Sequence, residues 1–153
     1  METRIAPLRP VIAAHEQVPA IKPFNLDMKV LLTTEETAGA TSVIIAWHKP
    51  GEGPPDHVHF DQEEIFFIVD GRYELTVDGQ TSMVGPGTLV FLPRNTVHRF
   101  RNAGETPACM LDWTLPGGQD RYFKEISELA ADGSFSSEKV AELNKEHHTT
   151  FAP

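Results

Sequence analysis

Two histidines spaced two apart, His57 and His59, open the stretch in which the chemistry of this chain is concentrated. Residues i and i+2 of an extended strand point to the same face, so both imidazoles can be aimed at one point. Glu64 follows after a polar turn at Asp61-Gln62, at the head of the apolar run Ile65 to Val69. A fourth donor, His98, stands well downstream in P-R-N-T-V-H-R-F-R-N, at the edge of another alternating segment. Three neutral imidazoles and one carboxylate make a borderline-to-hard donor set, suited to one divalent transition metal among Fe, Mn, Ni, Co, Cu and Zn. The affinity order favours copper, nickel or zinc over iron and manganese, so supply in the cell decides occupancy and the sequence leaves the ion unnamed. Adjacent strand residues face opposite ways, so Glu63 and Glu64 cannot both be ligands.

The elements that must position these groups are short and strand-like. Met28 to Thr33 and Thr41 to Trp47 read as strands, the second apolar on both faces and therefore in need of cover on both sides. Pro50, Gly51, Gly53, Pro54 and Pro55 form a rigid loop that delivers the chain to His57. Ile65 to Val69 is a buried strand, and Tyr73, Leu75 and Val77 alternate with polar residues. Asp78-Gly79 marks a tight hairpin. Thr81 to Val84, T-L-V-F-L before Pro93, Val97 to Arg101 and Ala108 to Leu115 complete the set. Nine or ten short strands separated by Gly, Pro and Asp turns predict an all-β antiparallel sandwich or barrel.

On either side of that body, at 26–116, the pattern changes. Residues 1–25 carry four prolines and read as an arm, with a short edge strand expected at Val11-Ile12-Ala13. Beyond Pro116-Gly117-Gly118, Asp120 is expected to cap a helix whose apolar face is Tyr122, Phe123, Ile126, Leu129 and Ala130, ending before Gly133. A second helix is expected from Ser136 or Ser137 to about Lys145. These form a C-terminal extension, 117–153, that closes on a tail expected to be mobile.

With 153 residues the chain fits one domain with its own core. A formal charge of −9 without a Lys/Arg cluster argues against nucleic acid as a partner. No stretch has the length and apolarity of a membrane span or signal segment, which predicts no membrane association. Cys109, the single cysteine, reads as core filler and suits a reducing, cytoplasmic location.

The spacing Gly51, His57, His59, Glu64, Gly71 resembles the first motif of the cupin superfamily, and Gly87, Pro93, His98, Asn102 resembles the second. Asn95 stands where the family pattern has glycine, a change that a left-handed turn tolerates in asparagine. The flanking text, P-P-D-H-V-H, E-E-I-F-F-I-V-D-G and T-L-P-G-G-Q-D-R-Y-F, is similar to small single-domain members of the quercetin 2,3-dioxygenase-like branch. The resemblance implies a double-stranded β-helix (a jelly-roll barrel) with one or two C-terminal α-helices. It implies that His57, His59, Glu64 and His98 bind the metal inside the barrel, with Glu64 rather than Glu63 because six residues separate it from Gly71. It further implies a homodimer paired through outer sheet faces, a small-molecule substrate and, in the dioxygenase reading, O2.

By that resemblance the substrate is an aromatic or enolisable oxygenated compound, bound as an enolate, with Glu64 as the general base. Oxygen would then cleave a C–C bond. A second reading keeps the enolate but drops the redox step, as in polyketide cyclases, isomerases or decarboxylases. A third is a small-ligand binding module without turnover. All three use the same ligands. Phe66 and Ile68 share the parity of Glu64, and Phe100 that of His98, making them candidates for the pocket wall with Trp47, Met110 and Trp113. Arg99 and Arg101 are expected to face away, Glu63 to face solvent and His48 to lie at a surface or rim position. His147 and His148, in the tail, carry no expected role.

Overall fold

A computed structural model describes residues 7–151 of the chain. Ten strands run β1 (Asp27–Leu32), β2 (Ser42–His48), β3 (His57–His59), β4 (Glu63–Asp70), β5 (Tyr73–Val77), β6 (Gln80–Val84), β7 (Leu89–Leu92), β8 (His98–Asn102), β9 (Ala108–Leu115) and β10 (Thr149–Phe151). Two helices, α1 (Gln119–Ala131) and α2 (Ser137–Glu146), lie between β9 and β10. The strands form two five-stranded antiparallel sheets, ordered β1-β2-β9-β4-β7 and β10-β3-β8-β5-β6. This is the all-β jelly roll expected, carrying two helices.

Alternation decides what is buried. From β4, Phe66 and Ile68 enter the space between the sheets, where they meet Tyr73 and Leu75 of β5, Leu92 of β7, Phe100 of β8 and Ala108 and Met110 of β9. Each such side chain contributes on the order of 2 kcal/mol by leaving water. The opposite parity is charged on the second sheet, where Arg101 pairs with Glu74 and Arg99 with Asp56. On the first sheet it is apolar. Phe91, Ile65, Trp113 and Val43 lie side by side across four strands, as do Leu89, Phe67, Leu111 and Ile45. Leu89 and Phe91 are 58% and 55% exposed.

The turns obey their residues. Asp78 and Gly79 both take positive φ, as the tight hairpin requires, and Asn95 does so at φ 63. Gly53 matters for another reason: a Cβ there would lie 1.8 Å from the Phe100 carbonyl oxygen. Only glycine lets the loop press this close against β8 on its way to His57.

Three expectations at the ends are corrected. Residues Val11-Ile12-Ala13 form no strand and Ile12 is 99% exposed; the arm pairs instead through a bridge between Ile21 and Met28. Asp120 does not cap α1, whose N-cap is Gly118. It accepts hydrogen bonds from Thr34, the backbone N–H at 3.0 Å and the hydroxyl, which docks the start of the helix on the loop after β1. As far as Phe151 the tail is held in a strand: β10 pairs with β3, Thr149 opposite His59 and Phe151 opposite His57, while Ala152 and Pro153 lie outside the described residues. The α2 helix makes this possible by packing Val140 and Leu143 against Tyr122 and Ile126, which returns the chain to the barrel edge.

Candidate metal centre and cavity

His57 and His59 leave β3 on one face, and the register sets His57 directly opposite His98 of β8. Glu64 comes from the facing sheet, near the start of β4. The donor atoms of His57, His59, Glu64 and His98 all lie within 4.8 Å of one another. Glu64 Oε2 is 3.0 Å from His59 Nε2 and 2.9 Å from His98 Nε2. Backbone carbonyls orient two of the rings: His57 Nδ1 lies 3.0 Å from the Pro55 oxygen, and His98 Nδ1 lies 2.9 Å from that of Thr96. A ring that donates from Nδ1 turns its Nε2 lone pair inward, the arrangement a cation needs.

Burial sharpens the electrostatics. It pushes the His57 imidazole down to about 4, with the nearby His98 adding to the effect. Burial also opposes charge on His98, but the hydrogen bond and charge of Glu64 outweigh it and raise that pKa. For Glu64, burial would raise the carboxyl, yet His59 and His98 together hold it well below the usual range. The group fits a divalent cation on an observation of its own: both ring nitrogens of His59 are buried without a hydrogen-bond partner, although Nε2 sits beside a carboxylate. A buried nitrogen left unpaired costs about 1–3 kcal/mol, which an ion would remove.

The cluster opens on a cavity of about 370 Å³. Ile44, Ala46, Phe100 and Met110 of the barrel make one wall, and Tyr122, Phe123, Asn144 and Phe151 of the extension make the other. Among the six candidates for the wall, Phe100 and Met110 line it. Phe66 and Ile68 point inward but are sealed in the core beneath, Phe66 with its ring centroid 6.2 Å from that of His98. Trp47 and Trp113 belong to the other parity. Trp47 lies under the arm, edge-on to His15, and Trp113 is on the outer face of the first sheet. Met110 and Trp113 are three apart, so a strand cannot turn both inward.

His48 is corrected from the rim to the interior. It shares the parity of Ile44 and Ala46, is 2% exposed, and its Nδ1 lies 2.9 Å from the Tyr73 hydroxyl. Burial pushes its pKa down to about 4. Glu63 faces outward and pairs with Arg94. His147 pairs with Glu125 and His148 with Asp61, contacts that tie the tail down.

Two polar residues at the site were not anticipated. Asp112, on β9 with the parity of Met110, enters the cavity wall, and Gln119, the first residue of α1, reaches it from outside the barrel. Burial, and then the charge of Glu64, raise the Asp112 carboxyl well above its ordinary range. Parity alone could have found Asp112, an acid on the inward side of A-C-M-L-D-W. Gln119 stands in T-L-P-G-G-Q-D-R-Y-F, part of the text that carries the resemblance, but nothing in that stretch points it at the site.

Residues 48–114 match the sequence profile of the cupin domain. Polyketide synthase CurC of Streptomyces cyaneus is 33% identical over 106 residues, which cover 68% of each chain. The chain belongs to the cupin superfamily. Quercetin 2,3-dioxygenase of Bacillus subtilis strain 168 is a more distant cupin relative, 25% identical over 100 residues, 65% of this chain and 29% of the relative. The solved structure of KdgF from Halomonas sp. superposes with a TM-score of 0.66 at 17% identity, over 74% of this chain and 99% of that one. The matched cupin region holds all four donors, and it ends before α1, α2 and β10.

Proposed function

We propose that this cupin is a metal-dependent enzyme that draws a proton from a neutral, oxygenated, ring-sized substrate of the polyketide type and rearranges the resulting enolate without a redox step. The observation that carries this is the lining of the cavity. It offers aromatic and aliphatic walls and three acids, Glu52, Glu64 and Asp112, and among the described residues no Lys or Arg. Apart from the ion itself, an anion such as a phosphate ester or dicarboxylate would meet no cationic Lys or Arg side chain in this lining and would face three acids, whereas a neutral polyphenolic or polyketide body fits the apolar walls. The similarity to a protein named for polyketide synthesis supports the same substrate class.

His57, His59, His98 and Glu64 would hold the ion, which when bound supplies positive charge to stabilise an oxyanion on the substrate. Glu64, which lines the cavity, is the base, and the imidazoles of His59 and His98 keep it ionised at neutral pH. Asp112, whose carboxyl burial and the charge of Glu64 push above its ordinary range, is the neighbouring group placed to return one. Phe100, Met110 and Tyr122 exclude water from the substrate's reactive face. The test is conversion of a polyketide-type phenol under strictly anaerobic conditions by metal-loaded protein. Turnover abolished by chelation and by Glu64→Gln is the expected result; no turnover without oxygen would sink it.

One observation favours a second reading, C–C cleavage by O2: the similarity to quercetin 2,3-dioxygenase. Oxygen consumption in step with substrate loss would establish it. A binding module would show tight ligand uptake with neither. The ion remains one of the divalent transition metals, to be settled by elemental analysis of protein purified without a nickel column. The two apolar ladders on the outer face of the first sheet are the surface through which we propose the chain forms a homodimer. Phe91→Glu should shift its mass in solution from twice 17.0 kDa to the monomer value.

A further inference from the structure

Gln119 is 4% exposed and reaches the site from outside the barrel. Its amide Nε2 donates to two carboxyls at once, Glu64 Oε1 at 3.0 Å and Asp112 Oδ2 at 3.1 Å. Glu64 is held ionised and can only accept, so the NH2 end of the amide must be the one that faces it. The consequence is that Gln119 Oε1 is left in the wall with no donor. An unpaired buried carbonyl is unfavourable, so the arrangement holds against a local cost. What it secures is Glu64, whose two oxygens are divided: Oε1 to the amide, Oε2 to His59 and His98.

We propose that Gln119 is a positioning residue of the metal centre, which occupies Glu64 Oε1 so that Oε2 alone is presented to the ion. The inference rests on reading the His57, His59, Glu64, His98 cluster as that centre. It makes α1 part of the site's chemistry as well as its wall. The residue that fixes the carboxylate sits three and four positions before Tyr122 and Phe123, which line the cavity. Asp120 pins the start of the helix independently through Thr34, so removing the Gln119 amide leaves α1 docked.

The experiment compares the full-length wild type, Gln119→Leu and Gln119→Met after loading with cobalt(II). The readings are the visible absorption bands, cobalt affinity by chelator competition, and folding by circular dichroism and thermal melting. With the amide gone, Oε1 is free to swing toward the ion. Both variants should therefore show displaced bands and an affinity changed about 10-fold, as for other residues that orient a ligand. The melting profile of the metal-free protein should stay close to wild type. Gln119→Met keeps the length of the side chain without a donor, and it decides the matter if the leucine variant does not fold. Wild-type bands and affinity in a folded variant would overturn the inference and leave the metal centre standing. Failure of the wild type to take up cobalt would overturn both.

Discussion

The site is built from two regions that differ in kind. The barrel supplies donors on strands whose direction is set by pairing: His57 opposite His98, Glu64 between Leu92 and Thr114. The extension supplies walls and a clamp on elements whose place is set by side-chain packing, through Tyr122, Ile126 and Val140. The barrel part coincides with the matched cupin region and the extension lies beyond it. On the proposed function the donors all come from the barrel, while the extension adds the second wall of the cavity and the Gln119 amide.

The sharpest way to break that division is to remove a donor. His98→Ala should lower metal affinity at least 100-fold and leave the barrel folded, since Phe66 and Phe100 keep the core closed. Metal content after dialysis, read against the melting temperature, checks this. Retention of a full equivalent of metal would detach His98 from the centre. The next largest effect should come from the other region. The β3 strand meets β8 through a single residue pair, yet all three of its residues pair with β10. A chain ending after His148 should therefore bind metal about 10-fold more weakly and admit bulkier ligands, measured by metal titration and by a ligand-size series. Unchanged affinity would show that the barrel alone holds β3.

This contrast also marks what the sequence could disclose. Strand parity set Glu63 and Glu64 on opposite sides and the cupin motif spacing chose Glu64 as the inward one; parity then put Phe66 and Ile68 inside with it, because a period of two is written in each short run. It also separates Met110 from Trp113, though their chemistry makes both look like wall residues. His48 escaped because its burial depends on Tyr73, which is 25 positions away and on the other sheet. The β10 strand escaped for a similar reason. The run H-H-T-T-F has weak intrinsic order, and only the packing of α2 on α1 brings it to the open edge of β3. Gln119 lies in a stretch that carries the resemblance, yet its contacts are with two carboxyls on β4 and β9 that no local pattern connects to it.

A smaller effect distinguishes a buried imidazole of the wall from those of the centre. His48 is neutral in the folded state, with a pKa of about 4 against about 6.5 when unfolded. Between those values the unfolded chain binds the extra proton, so stability contributed by His48 is complete above pH 6.5 and lost as pH falls toward 4. Metal-free protein should lose on the order of 2 kcal/mol through this residue across that window. His48→Gln keeps an acceptor for the Tyr73 hydroxyl and removes the titration. The difference between the two proteins in urea melts at pH 7 and pH 4.5 isolates His48, because the contributions of His57, His98, Glu64 and Asp112 are common to both. An identical pH slope would mean that His48 is solvated.

The smallest effect belongs to Glu63, next in the chain to Glu64, the proposed base and ligand. Its carboxylate meets Arg94 at 3.0 Å on a partly exposed surface, where an ion pair contributes about 0–1 kcal/mol. Glu63→Gln should therefore change neither metal content nor turnover and should move stability by less than about 0.5 kcal/mol. Glu64→Gln removes the charge that meets His59 and His98 and should remove both functions. The two substitutions are chemically identical and one residue apart, so only the direction of the side chain separates their outcomes. Metal content measured on the pair tests that directly: a loss in the Glu63 variant would mean β4 is shifted by one residue, which would turn Phe66 and Ile68 out of the core as well.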